Sequence, residues 1–185
     1  NNYCSWLVPA LVGAFTPLLV MTGTHYGLIP IGINNRMTMG YDTLIYPGML
    51  GSNVAQGGAA LAVAFKSKKS EIKQLASSAG ITAVCGITEP ALYGINIRFK
   101  TPLYAAMIGG GVGGFLMGIL NVKNYSGGSP GFLTLPSYLG GDTLTSFYFA
   151  CAGAAVSVVI AFIISYVLYK DPQDEDGKTS AKDQP

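Results

Sequence analysis

The chain has 185 residues and a net charge of +2; half of its residues are hydrophobic and only 11% are charged. The high hydrophobic content and the segregation of the few charged residues favour a membrane protein, and a net charge this small and scattered argues against a nucleic-acid-binding one. The three cysteines are widely spaced and form no C-x-x-C pair, so we expect neither a disulfide framework nor a metal site, and no cofactor.

Four uncharged runs predict transmembrane helices, in chain order at residues 6–24, 47–65, 101–122 and 143–169. About 20 apolar residues in a helix cross a hydrocarbon core of about 30 Å. The third run contains residues 109–114 (GGGVGG), which match a dinucleotide-binding pattern but follow no predicted strand. We therefore predict that these glycines allow neighbouring helices to pack closely.

Residues 26–46, which we call the first interrupted segment, are not expected to form a lipid-facing helix. The segment contains residues that bend or polarise a helix: Pro30, Asn34, Asn35, Arg36, Gly40 and Asp42. Irregular backbone at membrane depth is tolerated only where it lines a cavity or is buried in protein. We interpret this segment as a re-entrant hairpin that enters the membrane from the outside.

Residues 74–97, the second interrupted segment, follow the only basic cluster of the chain, which contains Lys66, Lys68, Lys69 and Lys73. The positive-inside rule assigns that cluster to the cytoplasm. A complete crossing would leave Arg98 and Lys100 on the opposite side, whereas a re-entrant hairpin returns both to the cytoplasm. Lys170 and the C-terminus then lie there as well.

These elements together predict an all-α membrane protein with about four transmembrane helices and two opposed re-entrant hairpins. The transport domain would extend over residues 1–170. Residues 171–185 are polar and mainly acidic at their start, so we expect a disordered linker or tail. The chain has neither an initiator methionine nor a basic n-region, which suggests a fragment of a longer polypeptide.

Glu89 is the only charged residue of the second interrupted segment. A carboxylate at membrane depth is costly, so such a residue usually faces a protein interior or a substrate path. Pro90 disfavours helical geometry at Glu89, and Gly86 and Gly94 loosen the backbone on either side. This pattern predicts a polar site on a discontinuous membrane segment.

His25, the only histidine, lies between the first run and the first interrupted segment. Asn34, Asn35, Asn53 and Gln56 add amide groups to the same region. Imidazole, carboxylate and amide groups with tyrosines nearby suit a polyhydroxylated sugar better than a metal cation. A histidine that only hydrogen-bonds at the membrane interface is the alternative interpretation of His25.

Five motifs occur in a fixed order along the chain: residues 25–31 (HYGLIPI), 34–35 (NN), 40–42 (GYD), 53–60 (NVAQGGAA) and 86–96 (GITEPALYGIN). They resemble EIIC, the membrane subunit of sugar phosphotransferase-system transporters, most closely the β-glucoside-type branch of the glucose superfamily. The resemblance extends from the start of the chain to about Lys170.

The resemblance implies the C-terminal, substrate-binding half of EIIC in a bacterial inner membrane, with a cytoplasmic C-terminus. The expected substrate is a β-glucoside or a related disaccharide. In this family the residues that match His25 and Glu89 contact sugar hydroxyls. By the same correspondence we expect four further substrate-binding residues: Thr88, Asn34, Asn35 and Gln56.

The resemblance also implies partners. In this family a cytoplasmic EIIB domain phosphorylates the sugar through a phosphocysteine, which receives its phosphate from a histidine of EIIA. Neither phosphorylation site has a counterpart here, so we expect no catalytic residue in this component of a sugar phosphotransferase. The N-terminal helices of EIIC, which form the dimer interface of the family, have no counterpart either, and the complete permease is expected to be a homodimer.

Three alternatives remain open at this point. The chain could be an ion-coupled secondary sugar transporter, with Glu89 and His25 as proton carriers. It could belong to a phosphotransferase permease for sucrose or trehalose, or it could be a sensor that binds sugar without moving it. Uptake that needs phosphoenolpyruvate but no proton gradient would distinguish the phosphotransferase permeases from the ion-coupled transporter.

Overall fold

The structure is a computed structural model that describes residues 6–141 and 144–171. These residues form eight α-helices and no β-strand, which confirms the predicted all-α class. The helices are α1 (Leu7–Met21), α2 (Leu28–Met39), α3 (Tyr46–Lys66), α4 (Ser70–Val84), α5 (Glu89–Ala91), α6 (Ile97–Phe99), α7 (Thr101–Ile119) and α8 (Thr145–Leu168).

The predicted acidic tail lies outside the described residues from residue 172 onward. Its first residue, Asp171, is buried, and its Oδ2 accepts a hydrogen bond from the backbone N–H of Lys68 at 2.7 Å. The folded part of the chain therefore includes Asp171.

Four long helices lie where the four transmembrane runs were predicted: α1, α3, α7 and α8. Within the described residues, α7 and α8 are long and apolar enough to cross a membrane. α1 is apolar but has only 15 residues. α3 has 21 residues, which at about 1.5 Å per residue is enough to cross, but it is less apolar.

The lower hydropathy of α3 follows from its position at the centre of the bundle. It packs against α1, α4, α7 and α8, and nearly all of its residues are buried. A Cβ atom on Gly48 would lie 2.6 Å from the carbonyl oxygen of Pro9, and one on Gly58 would lie 2.6 Å from that of Val158. Because protein rather than lipid surrounds α3, polar residues such as Asn53 and Gln56 are tolerated on it.

The glycine-rich run of α7 packs against two helices, as predicted. On one face, a Cβ atom on Gly109 would lie 2.8 Å from the carbonyl oxygen of Ser157 in α8. On the other face, a Cβ atom on Gly114 would lie 2.9 Å from the carbonyl carbon of Pro9 in α1. Glycine thus allows both neighbours to reach backbone contact with α7.

The second interrupted segment folds back on itself. Its first limb, α4, has 15 residues and is therefore about 22 Å long, less than the hydrocarbon core of about 30 Å. The chain reverses at Gly86, whose φ of +110° is a conformation that only glycine adopts readily. The return limb consists of α5, a π-helix (Leu92–Asn96) and α6.

Both limbs of this segment end at the same end of the bundle. Lys69, which precedes α4, and Arg98 in α6 line one depression. The ring of Phe99 packs on that of Tyr169 with centroids 5.2 Å apart. Lys66 Nζ donates a hydrogen bond to the carbonyl oxygen of Tyr166 near the end of α8 at 2.6 Å. We call this the basic end of the bundle.

The first interrupted segment has a different structure. Only Gly32 of α2 is buried. The segment is attached through the fully buried Asp42, whose carboxylate accepts hydrogen bonds from Asn35 Nδ2 at 2.7 Å and from the backbone N–H groups of three residues: Leu44, Ile45 and Tyr46. The last two bonds satisfy N–H groups at the start of α3, where no intrahelical acceptor exists.

The loop between α7 and α8 is bound to the same carboxylate-bearing residue. Asp42 and Asn124 pair through their backbones in an isolated antiparallel bridge. Arg36 donates hydrogen bonds to Asn124 Oδ1 at 3.3 Å and to the Tyr46 hydroxyl at 3.2 Å. We call Asn35, Arg36, Asp42, Tyr46 and Asn124 the Asp42 network.

Candidate functional site

A pocket of about 350 Å³ lies where the two interrupted segments, α3 and the α7–α8 loop meet. Its walls come from α1 to the start of α2 (Thr16, Val20, His25, Tyr26, Ile29), from α3 (Tyr46, Met49, Asn53), from the tip of the second interrupted segment (Gly86, Thr88, Glu89) and from the α7–α8 loop (Gly128, Ser129, Pro130). Three of the six predicted site residues, His25, Thr88 and Glu89, therefore share this pocket.

Glu89 reaches the pocket because the second interrupted segment breaks at its tip. After α4 the backbone turns through Gly86, and α5 then begins at Glu89 with Pro90 in its first turn, where a missing N–H costs nothing. Thr88 is buried at the start of this turn. No donor in the described part of the chain reaches the Glu89 carboxylate, so its oxygens are free to accept hydrogen bonds from a ligand.

His25 lies in a short 3₁₀-helix (Thr24–Gly27) between α1 and α2, next to Gly23 with its φ of +73°. Its ring is half-buried and lies 4.2 Å from the ring of Tyr26, measured between centroids. Nδ1 is buried, and no residue in the described ranges hydrogen-bonds to it. Buried polar atoms usually have a partner, and a ligand hydroxyl in the pocket would supply one.

Asn53 was named among the amide groups of this region but not among the six predicted substrate-binding residues. It is buried on α3, and its Nδ2 donates a hydrogen bond to the carbonyl oxygen of Pro130 at 2.7 Å. Its Oδ1 has no partner within residues 6–141 and 144–171, so it adds an acceptor to the pocket. Both Asn53 and Gln56 are amides in one uncharged run, and the sequence did not show that Asn53 rather than Gln56 faces the pocket.

The other three predicted residues do not line the pocket. Asn34 is exposed on α2. Asn35 donates to Asp42 and belongs to the Asp42 network. Gln56 is fully buried on α3, and neither its Nε2 nor its Oε1 has a partner in the described part of the chain. Their assignment as sugar ligands stays a prediction.

The pocket presents donors and acceptors beside aromatic and aliphatic groups. Carboxylate, imidazole, hydroxyl and amide groups supply directional hydrogen bonds, and Tyr26 supplies an exposed aromatic ring. Within the described ranges, no group of three His, Cys, Asp or Glu side chains could hold a metal ion. This arrangement can bind a neutral molecule with several hydroxyl groups.

The family model described as "Phosphotransferase system, EIIC" matches residues 2–111. The arbutin-, cellobiose-, and salicin-specific EIIBC component of Escherichia coli (strain K12) is 36% identical over 184 residues, which cover 98% of this chain and 38% of that protein. No solved structure matches the chain significantly.

Two further relatives have different specificities in their names. The beta-glucoside-specific EIIBCA component of Bacillus subtilis (strain 168) is 39% identical over 168 residues, which cover 90% of this chain and 27% of that protein. The sucrose-specific EIIBC component of Pasteurella multocida (strain Pm70) is 34% identical over 166 residues, which cover 89% of this chain and 34% of that protein. The chain thus spans less than two fifths of the length of these relatives.

The family match runs from the start of the described chain into α7 and includes the pocket residues His25, Thr88 and Glu89. The relatives extend the similarity over α8. With more than half of the residues matched, the chain belongs to the EIIC family, the membrane components of the sugar phosphotransferase system.

Proposed function

We propose that this chain binds a β-glucoside and is the sugar-translocating part of a phosphotransferase-system permease in a bacterial inner membrane. The observation that supports it most directly is the pocket that contains His25, Thr88 and Glu89. A related disaccharide such as sucrose or trehalose is the second candidate substrate, because relatives of both specificities match the chain.

Recognition in this proposal rests on charge and hydrogen bonding. The Glu89 carboxylate accepts hydrogen bonds from sugar hydroxyls, His25 Nδ1 and Asn53 Oδ1 pair with further hydroxyls, and Thr88 flanks the carboxylate. A bond to a charged acceptor is about twice as strong as a neutral one. Glu89 is therefore the principal ligand, and the exposed Tyr26 ring offers a surface for the apolar face of the sugar.

The two interrupted segments act as opposed re-entrant hairpins in this proposal. Each limb of the second is too short to cross the membrane, and both of its ends meet at the basic end of the bundle. The positive-inside rule then assigns the basic end, and with it the C-terminus, to the cytoplasm. The tip with Glu89, about 22 Å along α4, would lie deep in the membrane.

In this proposal, partner domains and not this chain phosphorylate the sugar. The relatives are named as EIIBC and EIIBCA components, which supports EIIB and EIIA domains as the source of the phosphoryl group. We further propose that the N-terminal half of EIIC completes the transport domain and that the permease is a homodimer. The chain itself contributes sugar binding and movement.

Glu89→Gln in the assembled permease tests the site. The substitution keeps the size of the side chain but removes the charge, so the affinity for a β-glucoside should fall roughly 10- to 100-fold, the equivalent of about 1.5–3 kcal/mol. Binding of arbutin or salicin to purified permease measures it. Glu71→Gln, on the exposed first turn of α4, is the matched control and should bind normally. Unchanged binding by Glu89→Gln would refute the assignment.

The energy source of uptake separates this proposal from an ion-coupled transporter. Vesicles that contain the assembled permease should accumulate phosphorylated sugar with phosphoenolpyruvate and without a proton gradient. Uptake that collapses with the proton gradient would instead favour Glu89 and His25 as proton carriers.

A further inference from the structure

The α7–α8 loop supplies a wall of the pocket that no sequence motif indicated. Residues 127–131 (GGSPG), which we call the pocket loop, include Gly128, Ser129 and Pro130 of the pocket lining. We propose that the pocket loop determines which glycoside the site accepts. This inference rests on the sugar-binding function proposed above and assigns specificity to residues outside both interrupted segments.

The pocket loop is attached to the tip that carries Glu89. Ser129 Oγ donates a hydrogen bond to the carbonyl oxygen of Gly86 at 2.7 Å. Gly131 packs against Cys85, the residue before Gly86. A Cβ atom on Gly131 would lie 2.5 Å from the carbonyl carbon of Cys85. Any residue larger than glycine would push the loop away from the tip.

Further contacts hold the pocket loop on two other sides. On α3, Asn53 Nδ2 donates to the carbonyl oxygen of Pro130 at 2.7 Å. On the side of the first interrupted segment, the backbone N–H of Gly127 donates to Asn124 Oδ1 at 2.9 Å, and a Cβ atom on Gly127 would lie 2.8 Å from Arg36 Nη2. The pocket loop thus contacts the tip of the second interrupted segment, α3 and the first interrupted segment, and forms a wall in a defined position.

The loop also offers backbone donors to a ligand. Gly127 and Gly128 have φ values of +80° and +100°, which turn the chain sharply before Ser129. Gly128 and Ser129 are exposed, and their backbone N–H groups have no acceptor among the described residues. The oxygen atoms of a glycoside are suitable acceptors for these two N–H groups.

The position of this wall explains how one pocket type can serve different glycosides. His25, Thr88 and Glu89 can bind a sugar ring that several glycosides share, so they cannot by themselves tell those glycosides apart. A pocket of about 350 Å³ is near the lower limit of the roughly 300–1,000 Å³ usual for ligand sites, so the second group of a glycoside would lie close to the pocket walls. The pocket loop therefore limits the size and polarity of the second group of the glycoside.

Ser129→Leu tests this inference in the assembled permease. The ligands are arbutin and cellobiose, which share a β-glucosyl ring but carry a phenolic ring and a second sugar ring, respectively. Because one added methylene in a pocket changes discrimination about 10- to 200-fold, the ratio of the two dissociation constants should change at least about tenfold. Ser126→Leu is the matched control, because Ser126 lies in the α7–α8 loop just before the pocket loop and outside the pocket lining. It should keep the wild-type ratio.

Ser129→Thr provides a second variant that retains the hydroxyl and adds one methyl group. It should shift the ratio in the same direction as Ser129→Leu, by a smaller factor, and keeps the test valid if the leucine variant does not fold. An equal loss of both affinities, or no change in the ratio, would overturn the role of the pocket loop in specificity. A wild-type permease that binds neither glycoside would instead contradict the proposed function.

Discussion

The two interrupted segments look alike in sequence, yet they are stabilised by different interactions. α2 of the first has only Gly32 buried, and the segment is attached through the charged and amide groups of the Asp42 network. The second is attached through apolar packing: Ala76, Ala83, Ala91 and Ile95 belong to a buried cluster with residues of α3. The second segment nevertheless brings Glu89, and the 3₁₀-helix just before the first brings His25, to the same pocket.

The difference indicates how each ionisable residue is positioned. Glu89 lies at the tip of a segment that the core of the bundle fixes along its length, including a π-helix, an element that often occurs at functional sites. His25 lies in a short 3₁₀-helix at the start of a segment with few buried residues. A polar network is directional and a packed core is not, so the first segment depends on a few bonds and the second on many contacts.

The largest expected effect concerns the path of the second interrupted segment relative to the membrane. Single cysteines at Ser70 and at Thr101, in a background without Cys4, Cys85 and Cys151, should both react with an impermeant thiol reagent only from the cytoplasmic face. Ser70 begins α4 and Thr101 follows α6, so the two positions bracket both limbs. Labelling from opposite faces would show that the segment crosses the membrane.

A smaller but still large effect is expected from Asp42→Ala. The substitution removes a fully buried carboxylate that accepts four hydrogen bonds and leaves their donors without a partner. The free energy of unfolding should fall by about 3–5 kcal/mol, measured by thermal or chemical unfolding of the permease. Glu71→Ala, which removes an exposed carboxylate, should stay within about 0.5 kcal/mol of wild type.

Hydrogen exchange of the Asp42→Ala variant tests whether the two interrupted segments are held independently of each other. Because only the first depends on Asp42, residues 28–39 should lose protection while residues 70–84 keep it. Equal loss in both segments would mean that the two are not held independently.

Much of this architecture was predictable because its signals are local. Uncharged runs gave the four long helices within a few residues of their observed bounds, and the glycine run of α7 indicated close packing. The grouping of His25, Thr88 and Glu89 in one site was implied by the resemblance to EIIC. Local sequence could not show that Asn35 pairs with Asp42, or that Asn53 contacts Pro130, 77 residues away. An amide side chain has the same identity in a site and in a structural network, and only the fold distinguishes them.

The smallest expected effect concerns His25, the ionisable group of the more loosely buried segment. His25→Gln keeps a hydrogen-bonding side chain but shifts its polar atoms, so one neutral bond to the sugar is lost. Such a bond contributes roughly 0.5–1.5 kcal/mol, so the affinity should fall only about 2- to 10-fold, less than for Glu89→Gln. Thr24→Val, in the same 3₁₀-helix but outside the pocket lining, is the matched control and should change affinity less than twofold. Binding titrations of arbutin against Glu89→Gln, His25→Gln and Thr24→Val measure whether the loss of affinity decreases in that order. If His25→Gln reduced affinity as much as Glu89→Gln, the imidazole would be as strong a ligand as the carboxylate, and weak burial of the first interrupted segment would no longer imply a secondary role in recognition.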